Sequence, residues 1–266
     1  MLELARARKY YASPGGAVHA VDDVSMHVGQ RELVALFGPS GSGKTTLLLL
    51  ASGLLRADTG RVTFDGADLA QMTKAQLLAY RRTELGFVFQ DYNLIAGLTA
   101  QENAALPLLL RGASHRDARA RALSVLGEVG LTPRARHTPG QLSGGERQRL
   151  AIARALAGEP RLILADEPTG SLDTHTGDDI LTLLSSLPRE RGAGVLLVSH
   201  DPRVAARADR ILTLRDGRIE ETAGQGQGQH EHEPGAAQRE QGQADGQGQA
   251  EPETQPQPDA QAVSAR

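Results

Sequence analysis

The sequence predicts an α/β fold with a mostly parallel sheet, on three observations. A glycine-rich stretch, Gly38 to Thr46, lies between an apolar run typical of a buried strand and a leucine-rich run typical of a helix. Apolar runs return at 162–166 and 194–200. Strands that alternate with helices favour a parallel sheet covered on both faces. An antiparallel β region at the N-terminus and a helical segment inserted at about 91–142 complete the predicted architecture.

The N-terminal region predicts antiparallel strands. Residues 8–11 and 17–27 are rich in β-branched and aromatic side chains, and the Ser-Pro-Gly-Gly at 13–16 favours a turn between them. A further strand is predicted at 61–64, because the Asp-Gly pair at 65–66 marks a turn directly after it.

The glycine-rich stretch fits G-x-x-x-x-G-K-[ST], the pattern of a loop that cradles phosphate. Its glycines let successive N–H groups point at one spot, and the N-terminus of the following helix adds partial positive charge there. Lys44 is expected to reach the β- and γ-phosphates, and the Thr45 hydroxyl to bind Mg²⁺. A turn that only caps a helix is the alternative, and the constrained positions argue against it. The predicted ATP-binding loop residues are Gly38, Pro39, Ser40, Gly41, Ser42, Gly43, Lys44, Thr45 and Thr46.

Helical patterns follow a predicted strand at 85–90. Thr99 and Glu102 have capping-box spacing, and apolar residues at 122–129 fall on one helical face before Gly130. These signals define the inserted helical segment.

The apolar run at 162–166 ends in two adjacent carboxylates, Asp166 and Glu167. Asp166 is expected to hold Mg²⁺ through water, and Glu167 to polarise an attacking water. The alternative is a solvated loop start, but a buried strand precedes the pair and Pro-Thr-Gly follows it at 168–170. Two strands would then close the folded part at 211–214 and 218–220.

A second possible anion site lies at the start of a helix predicted over 147–157. Ser143 and Glu146 have capping-box spacing, so a well-capped helix is the simplest interpretation. However, Gly144 and Gly145 leave the N–H groups of the first turn open to an anion.

Composition restricts the possible locations and partners. The chain has no Cys, and its N-terminus lacks the apolar run of a signal peptide, so we expect a cytoplasmic protein. The longest apolar run, 47–55, is far shorter than the ~20 residues that cross a bilayer. If this protein acts at a membrane, another chain must span it.

Residues 224–266 form a segment of different composition. It holds eleven Gln and, among large apolar residues, only Val263, so it predicts a disordered tail. The tail carries a net charge of −5 and the whole chain −3, which leaves +2 for residues 1–223. This near-neutral body and acidic tail argue against nucleic acid as a partner.

Residues 2–222 resemble the ATP-binding subunits of ABC transporters, because the Leu-Ser-Gly-Gly-Glu-Arg-Gln-Arg at 142–149 matches that family's signature motif. In the family, two cassettes sandwich two ATP molecules head to tail. The signature helix of one cassette caps the γ-phosphate held by the other, which accounts for the second anion site. The resemblance therefore implies a homodimer and a signature that acts in trans through Ser143, Gly144, Gly145 and Glu146.

The resemblance also implies roles for residues that are ambiguous when taken singly. Gln90 is similar to the Q-loop glutamine, which contacts the metal and the attacking water, although alone it fits a polar strand end. His200 is similar to the switch histidine on the γ-phosphate, although alone it fits a surface histidine. The D-loop that crosses the dimer interface would be Ser171, Leu172 and Asp173.

Two site assignments and the activity follow from the same comparison. The implied catalytic residues are Glu167, His200 and Gln90, and the implied metal-binding residues are Thr45, Gln90 and Asp166. Tyr11 is placed like the aromatic residue that stacks on adenine, and its neighbour Tyr10 is the competing choice. No motif is degraded, so we expect hydrolysis of ATP with Mg²⁺.

Residues 89–94 and 98–103 resemble one branch of the family, which includes macrolide-export, lipoprotein-release and cell-division ATPases. In that branch the ATPase drives a separate integral membrane subunit that moves lipids, lipoproteins, peptides or drugs, or regulates an enzyme outside. This implies a peripheral protein on the inner face of the membrane. Residues 92–110 would be the docking surface, with most leucines in the core and a groove near 92–98.

Two other functions are weighed against this one. Soluble ABC ATPases that act on DNA or ribosomes usually carry two cassettes, long coiled-coil insertions or cysteine zinc sites, and this chain has none of these. A purely regulatory nucleotide-binding module is the other, and Glu167 argues against it.

Overall fold

The computed structural model describes residues 1–13 and 16–222. This part of the chain forms two sheets and six α-helices. The strands are β1 Leu2–Ser13, β2 Gly16–Val28, β3 Leu33–Phe37, β4 Thr59–Phe64, β5 Ala67–Asp68, β6 Leu85–Val88, β7 Leu162–Asp166, β8 Gly194–Val198, β9 Arg210–Arg215 and β10 Arg218–Thr222. The helices are α1 Lys44–Ala51, α2 Lys74–Thr83, α3 Ala100–Leu110, α4 His115–Glu128, α5 Gly144–Ala157 and α6 Thr174–Arg191.

The larger sheet has the order β10-β9-β3-β8-β7-β6. Strand β3 pairs in parallel with β8 and β9, and β7 pairs in parallel with β6 and β8, while β10 is antiparallel to β9. All five residues of β8 are buried, as expected for a strand covered on both faces. The predicted α/β fold with a mostly parallel sheet is confirmed.

The register of the central strands determines where the site lies. Leu36 of β3 is paired with Val198 of β8, and Asp166 of β7 is paired with the same Val198. The segments that follow β3, β7 and β8 therefore leave the sheet side by side, at the carboxyl edge where open α/β sheets bind ligands.

The smaller sheet is antiparallel, with the order β2-β1-β4-β5. The long pairing of β1 with β2 confirms the predicted N-terminal hairpin, and β4 and β5 flank the predicted turn at 65–66. The irregular register of β1 between Leu4 and Tyr10 includes Arg6 at φ 48°. Such bulges bend a strand and increase its twist.

Three helices form a separate apolar core. Ala104 of α3, Leu126 of α4 and Leu150 of α5 are fully buried together. The capping box predicted at Thr99 is present: its hydroxyl accepts from the Glu102 N–H at 3.3 Å, and the Glu102 carboxylate accepts from the Thr99 N–H at 2.9 Å.

Three details differ from the expectations. Strand β6 ends at Val88 instead of reaching position 90, although Phe89 still stacks on Phe87 with ring centroids 4.0 Å apart. Helix α5 begins at Gly144, one turn before the predicted start. Helix α2 was not predicted, although its first residues carry the Thr73 and Gln76 capping box.

Within residues 1–13 and 16–222, no helix combines the length and the apolar character that a membrane span needs. The predicted tail at 224–266 lies outside the described residues.

Candidate functional site

The phosphate-type loop joins the end of β3 to the start of α1. Gly41 has φ 80° and Gly43 has φ 102°, a region that side chains disfavour. A Cβ on Gly43 would lie 1.8 Å from the carbonyl oxygen of Ala20, so only glycine fits where β2 approaches the loop. No side chain caps the first turn of α1, which leaves its N–H groups available to an anion.

Two further side chains point to a ligand at this loop. Lys44 Nζ donates to the carbonyl oxygens of Gly38 at 2.8 Å and Pro39 at 2.9 Å, so the ammonium group lies across the loop itself. Ser42 Oγ is buried and has no hydrogen-bond partner among the described residues. Buried hydroxyls normally have a partner, and phosphate oxygens would provide one for Ser42 and for Lys44.

The metal-binding residues predicted on two different elements meet here. Thr45 Oγ1, in the first turn of α1, donates to Asp166 Oδ2 at the end of β7 across 3.2 Å. Burial raises the pKa of Asp166, the neighbouring Glu167 carboxylate raises it further, and the Thr45 hydrogen bond and Lys44 lower it. A hydroxyl and a carboxylate at this separation are the oxygen donors that Mg²⁺ prefers, so the residues fit the ion.

Glu167 and His200 form the second contact of the site. Glu167 Oε2 lies 2.7 Å from His200 Nδ1, and the Glu167 N–H donates to the Val198 carbonyl oxygen at 3.0 Å. Glu167 has φ 46°, a conformation that costs about 1–3 kcal/mol for such a residue and is often found at functional sites. The Glu167 side chain is only 15% exposed whereas that of His200 is 70% exposed, so the histidine covers the carboxylate from the solvent side.

Gln90 lies beside the same segment. A Cβ added to Gly170 would be 3.7 Å from Gln90 Nε2 and 3.8 Å from Glu167 Cβ. The structure therefore brings together the segments that carry Lys44, Asp166, Glu167, Gln90 and His200.

The signature residues lie elsewhere, at the N-terminus of α5. Ser143 Oγ accepts from the Glu146 N–H at 3.2 Å, and Glu146 Oε2 accepts from the Ser143 N–H at 2.8 Å, which completes the predicted capping box. The Ser143 N–H and the Arg134 guanidinium, 2.9 Å from Glu146 Oε1, lower the pKa of Glu146. Ser143 and Glu146 thus fix the first turn of α5.

The signature glycines pack against the D-loop and α6 of the same chain. A Cβ on Gly144 would contact Leu172 Cδ2 at 3.6 Å, and one on Gly145 would lie 2.2 Å from Thr176 Cγ2. Asp173 caps α6 by accepting from the Thr176 N–H at 3.0 Å, and this bond lowers the pKa of Asp173. The signature and the D-loop therefore form one cluster.

The two candidates for adenine stacking differ in their surroundings. Tyr11 is 41% exposed, with Lys9 Nζ 5.9 Å from its ring centroid, whereas the Tyr10 ring meets His19 edge to face at 4.6 Å. Tyr11 is paired with Val18, which is also exposed. Tyr11 therefore has an exposed ring, whereas the Tyr10 ring is already in contact with His19.

One residue near the site carried no sequence signal. Arg203 donates to both Asp201 carboxylate oxygens, and to the Thr174 carbonyl oxygen at 2.6 Å. It joins the segment after His200 to the start of α6. An isolated arginine after a strand looks like any surface arginine, so only the three-dimensional contacts identify it.

Comparison with known proteins gives consistent results. The family described as ABC transporter matches residues 21–170. The lipoprotein-releasing system ATP-binding protein LolD of Chromohalobacter salexigens is 45% identical over 223 residues, which are 84% of this chain and 94% of that protein. The macrolide export ATP-binding/permease protein MacB 1/2 of Paracoccus denitrificans is 44% identical over 219 residues, 82% of this chain but 33% of that protein, so the chain spans about a third of its length.

A solved structure matches over a similar range. The dimeric post-hydrolysis state of the ATP-binding cassette MJ0796 bound to ADP and Pi has a TM-score of 0.77 at 43% identity. The match covers 83% of this chain and 97% of that one. The phosphate-type loop and the carboxylates at the end of β7 thus belong to a fold that, in this relative, is bound to ADP and Pi.

Proposed function

The chain belongs to the ABC transporter family, and we propose that it is the ATP-hydrolysing subunit of a complex with a separate membrane subunit. In this proposal ATP hydrolysis powers the export or extraction of lipid, lipoprotein, peptide or drug, or mechanotransmission. Members of the family are ATPases that bind ATP with Mg²⁺. The observation that carries the proposal is a groove next to the Gln90 segment that is lined by both apolar and cationic side chains. The groove lies beside the residues that are suited to ATP hydrolysis, which form one half of a complete site.

Each side chain of the site has a proposed role. The loop N–H groups and Lys44 hold the β- and γ-phosphates, and Thr45 and Asp166 hold Mg²⁺. Bound Mg²⁺ would neutralise phosphate charge. Glu167 takes up or orients the proton of the attacking water, while Gln90 and His200 position that water and the γ-phosphate. The His200 contact keeps the Glu167 carboxylate oriented before the nucleotide arrives.

The other half of each site comes from a second copy of the chain. Gly144 packs on Leu172 of its own D-loop and Gly145 on Thr176 of α6. The N–H groups of the first turn of α5 that Ser143 does not cap are suited to a γ-phosphate held by the partner. The dimeric state of the MJ0796 structure supports this arrangement. Tyr11 would stack on adenine, in preference to Tyr10, because its ring is open.

The groove lies between the larger sheet and the inserted helices. It has a volume of about 300 Å³ and is lined on its apolar side by Phe87, Phe89, Leu106 and Leu110. Leu110 is 52% exposed, and Ile95 nearby is 45% exposed. Exposed apolar side chains around a cleft are typical of a protein interaction site, and we expect a short segment of the membrane subunit to place apolar side chains in it.

Cations line the same groove. Arg81, Arg82, Arg111 and Arg154 contribute to it. Arg111 and Arg154 donate to backbone carbonyl groups, and the nearby carboxylates Glu84 and Glu159 are paired with Arg161 and Arg121. The groove therefore keeps an excess of positive charge, and we expect the docking segment to carry at least one carboxylate.

Charge reversal tests this assignment. Arg82→Glu should reduce co-purification with the membrane subunit at least tenfold, while Arg189→Glu, on the exposed face of α6, should leave it unchanged. ATP hydrolysis by the isolated protein should be retained in both variants. Co-purification with ribosomes or DNA, and not with a membrane protein, would contradict the proposal.

Three further assignments remain part of the proposal. Residues 1–223 form the ATPase domain, with an inserted helical subdomain at about 91–142, and residues 224–266 are a tail that is dispensable for hydrolysis. The protein acts on the cytoplasmic side, bound peripherally to the inner face of the membrane. Nucleic acid is not a partner.

A further inference from the structure

The backbone at Tyr92 and Asn93, two and three residues after Gln90, is in an unusual state. Tyr92 has φ 61° and Asn93 has φ 48°, both in the left-handed region. Arg154 of α5 donates to the carbonyl oxygen of Tyr92 at 2.8 Å and also to that of Asn93. Burial lowers the pKa of Arg154, so its hydrogen bonds to these carbonyls offset the desolvation of a charged group. Arg154 therefore fixes this turn to the signature helix.

The Tyr92 side chain reaches two other motifs. Its hydroxyl lies 2.9 Å from Ser171 Oγ, in the D-loop four residues after Glu167. The Arg147 guanidinium is 5.3 Å from the ring centroid, and a Cβ on Gly144 would lie 3.5 Å from the Tyr92 hydroxyl oxygen. A single tyrosine thus contacts the D-loop and the signature helix, and follows Gln90 by two positions.

We propose that Tyr92 is a positioning residue whose hydroxyl ties the segment after Gln90 to Ser171, and so holds the loop from Glu167 to Asp173 in its working position. The proposal depends on the roles given to Gln90 and Glu167 in the proposed function. Because Arg154 holds the Tyr92 backbone on α5, the Tyr92 phenol joins α5 to the D-loop.

The hydroxyl can be separated from the ring. Tyr92→Phe keeps the ring, its contact with Arg147 and the backbone bonds to Arg154, and removes only the bond to Ser171. Ser171→Ala removes the same bond from the other side. If the bond acts by positioning, either variant lowers kcat and leaves the KM for ATP within about twofold, because the phosphate loop that binds ATP is untouched.

The experiment is a double-mutant cycle on the ATPase activity of the full chain without any membrane subunit. Each single variant should lower kcat by about two- to tenfold, the range that one neutral hydrogen bond supports. The variant with both changes should be no slower than the slower single variant, because both changes remove the same bond.

Tyr80→Phe is the matched control, since the Tyr80 hydroxyl donates to the buried Ala51 carbonyl oxygen at 2.8 Å, away from the D-loop. It should lower the thermal midpoint, and its effect on kcat should multiply with that of Ser171→Ala. The proposal is overturned if Tyr92→Phe keeps the wild-type kcat, if its effect multiplies with Ser171→Ala, or if only KM or thermal stability changes. Failure of the chain to associate with a permease would contradict the proposed function. The double-mutant cycle could still be interpreted, because it is measured without a membrane subunit.

Discussion

The close contact between Gly145 and α6 predicts how much stability the substitution Gly145→Ala should cost. A Cβ at position 145 would lie 2.2 Å from Thr176 Cγ2 but 3.6 Å from Thr176 Cβ and 3.7 Å from Thr176 Oγ1. The clash of Gly145→Ala is therefore with one methyl group. Overpacking of this kind typically costs about 1–3 kcal/mol, and the better helix propensity of alanine returns up to about 1 kcal/mol.

The expected loss is thus about 1–2 kcal/mol, which lowers the thermal midpoint of a domain of this size by about 2–8 °C. Thr176→Ser removes the offending methyl group and leaves the remaining atoms at ordinary contact distance. Alone it should cost less than about 1 kcal/mol, since Thr176 is only half-buried. The variant with both changes should lie within about 1 kcal/mol of the wild type.

Chemical denaturation of the wild type, the two single variants and the variant with both changes measures this cycle. ATPase assays of the same four proteins add a second test. Because the added Cβ points at α6 and not at the open end of α5, the variant with both changes should regain hydrolysis together with stability. A double variant as unstable as Gly145→Ala alone would refute the contact with the Thr176 methyl group. Regained stability without hydrolysis would refute the inward direction of the Cβ.

Three further predictions follow. Lys44→Ala should lower ATP binding at least a hundredfold in equilibrium titration because it removes the charge at the phosphates, whereas Lys74→Ala, exposed on α2, should leave it unchanged. Asn103→Ala should lower the free energy of unfolding by about 2–3 kcal/mol, measured with urea, because the fully buried Asn103 amide serves Ile95 N–H and three carbonyl groups; near-wild-type stability would contradict this. Truncation after residue 223 should leave the ATPase rate within twofold, and a large loss would show that the tail takes part in hydrolysis.

Much of the fold follows from local sequence patterns. The glycines at 38–43, the apolar runs of β3, β7 and β8, and the capping boxes at Thr99 and Ser143 each act over a few residues, so a sequence pattern contains them. Helix α2 was missed although Thr73 and Gln76 carry the same capping signal, because its apolar face is short.

Contacts between distant segments could not be predicted in this way. The bond from Tyr92 to Ser171 joins residues 79 positions apart, and the 2.7 Å contact of Glu167 with His200 joins residues 33 apart. The motifs indicated that His200 and Glu167 share a site, but neither spacing nor composition specifies that the two side chains touch. The Tyr92 contact needs the left-handed turn held by Arg154, which depends on the packing of α5.

The proposed mechanism requires two copies of the chain to close over shared nucleotides. Glu167→Gln keeps the size of the side chain and removes the carboxylate that acts on the attacking water, so ATP should persist in the closed dimer. Sedimentation velocity of this variant with saturating Mg-ATP should show a dimer, with one ATP retained per protomer. A variant that stays monomeric under these conditions, even with its membrane subunit present, would contradict the closure of two copies over shared nucleotides.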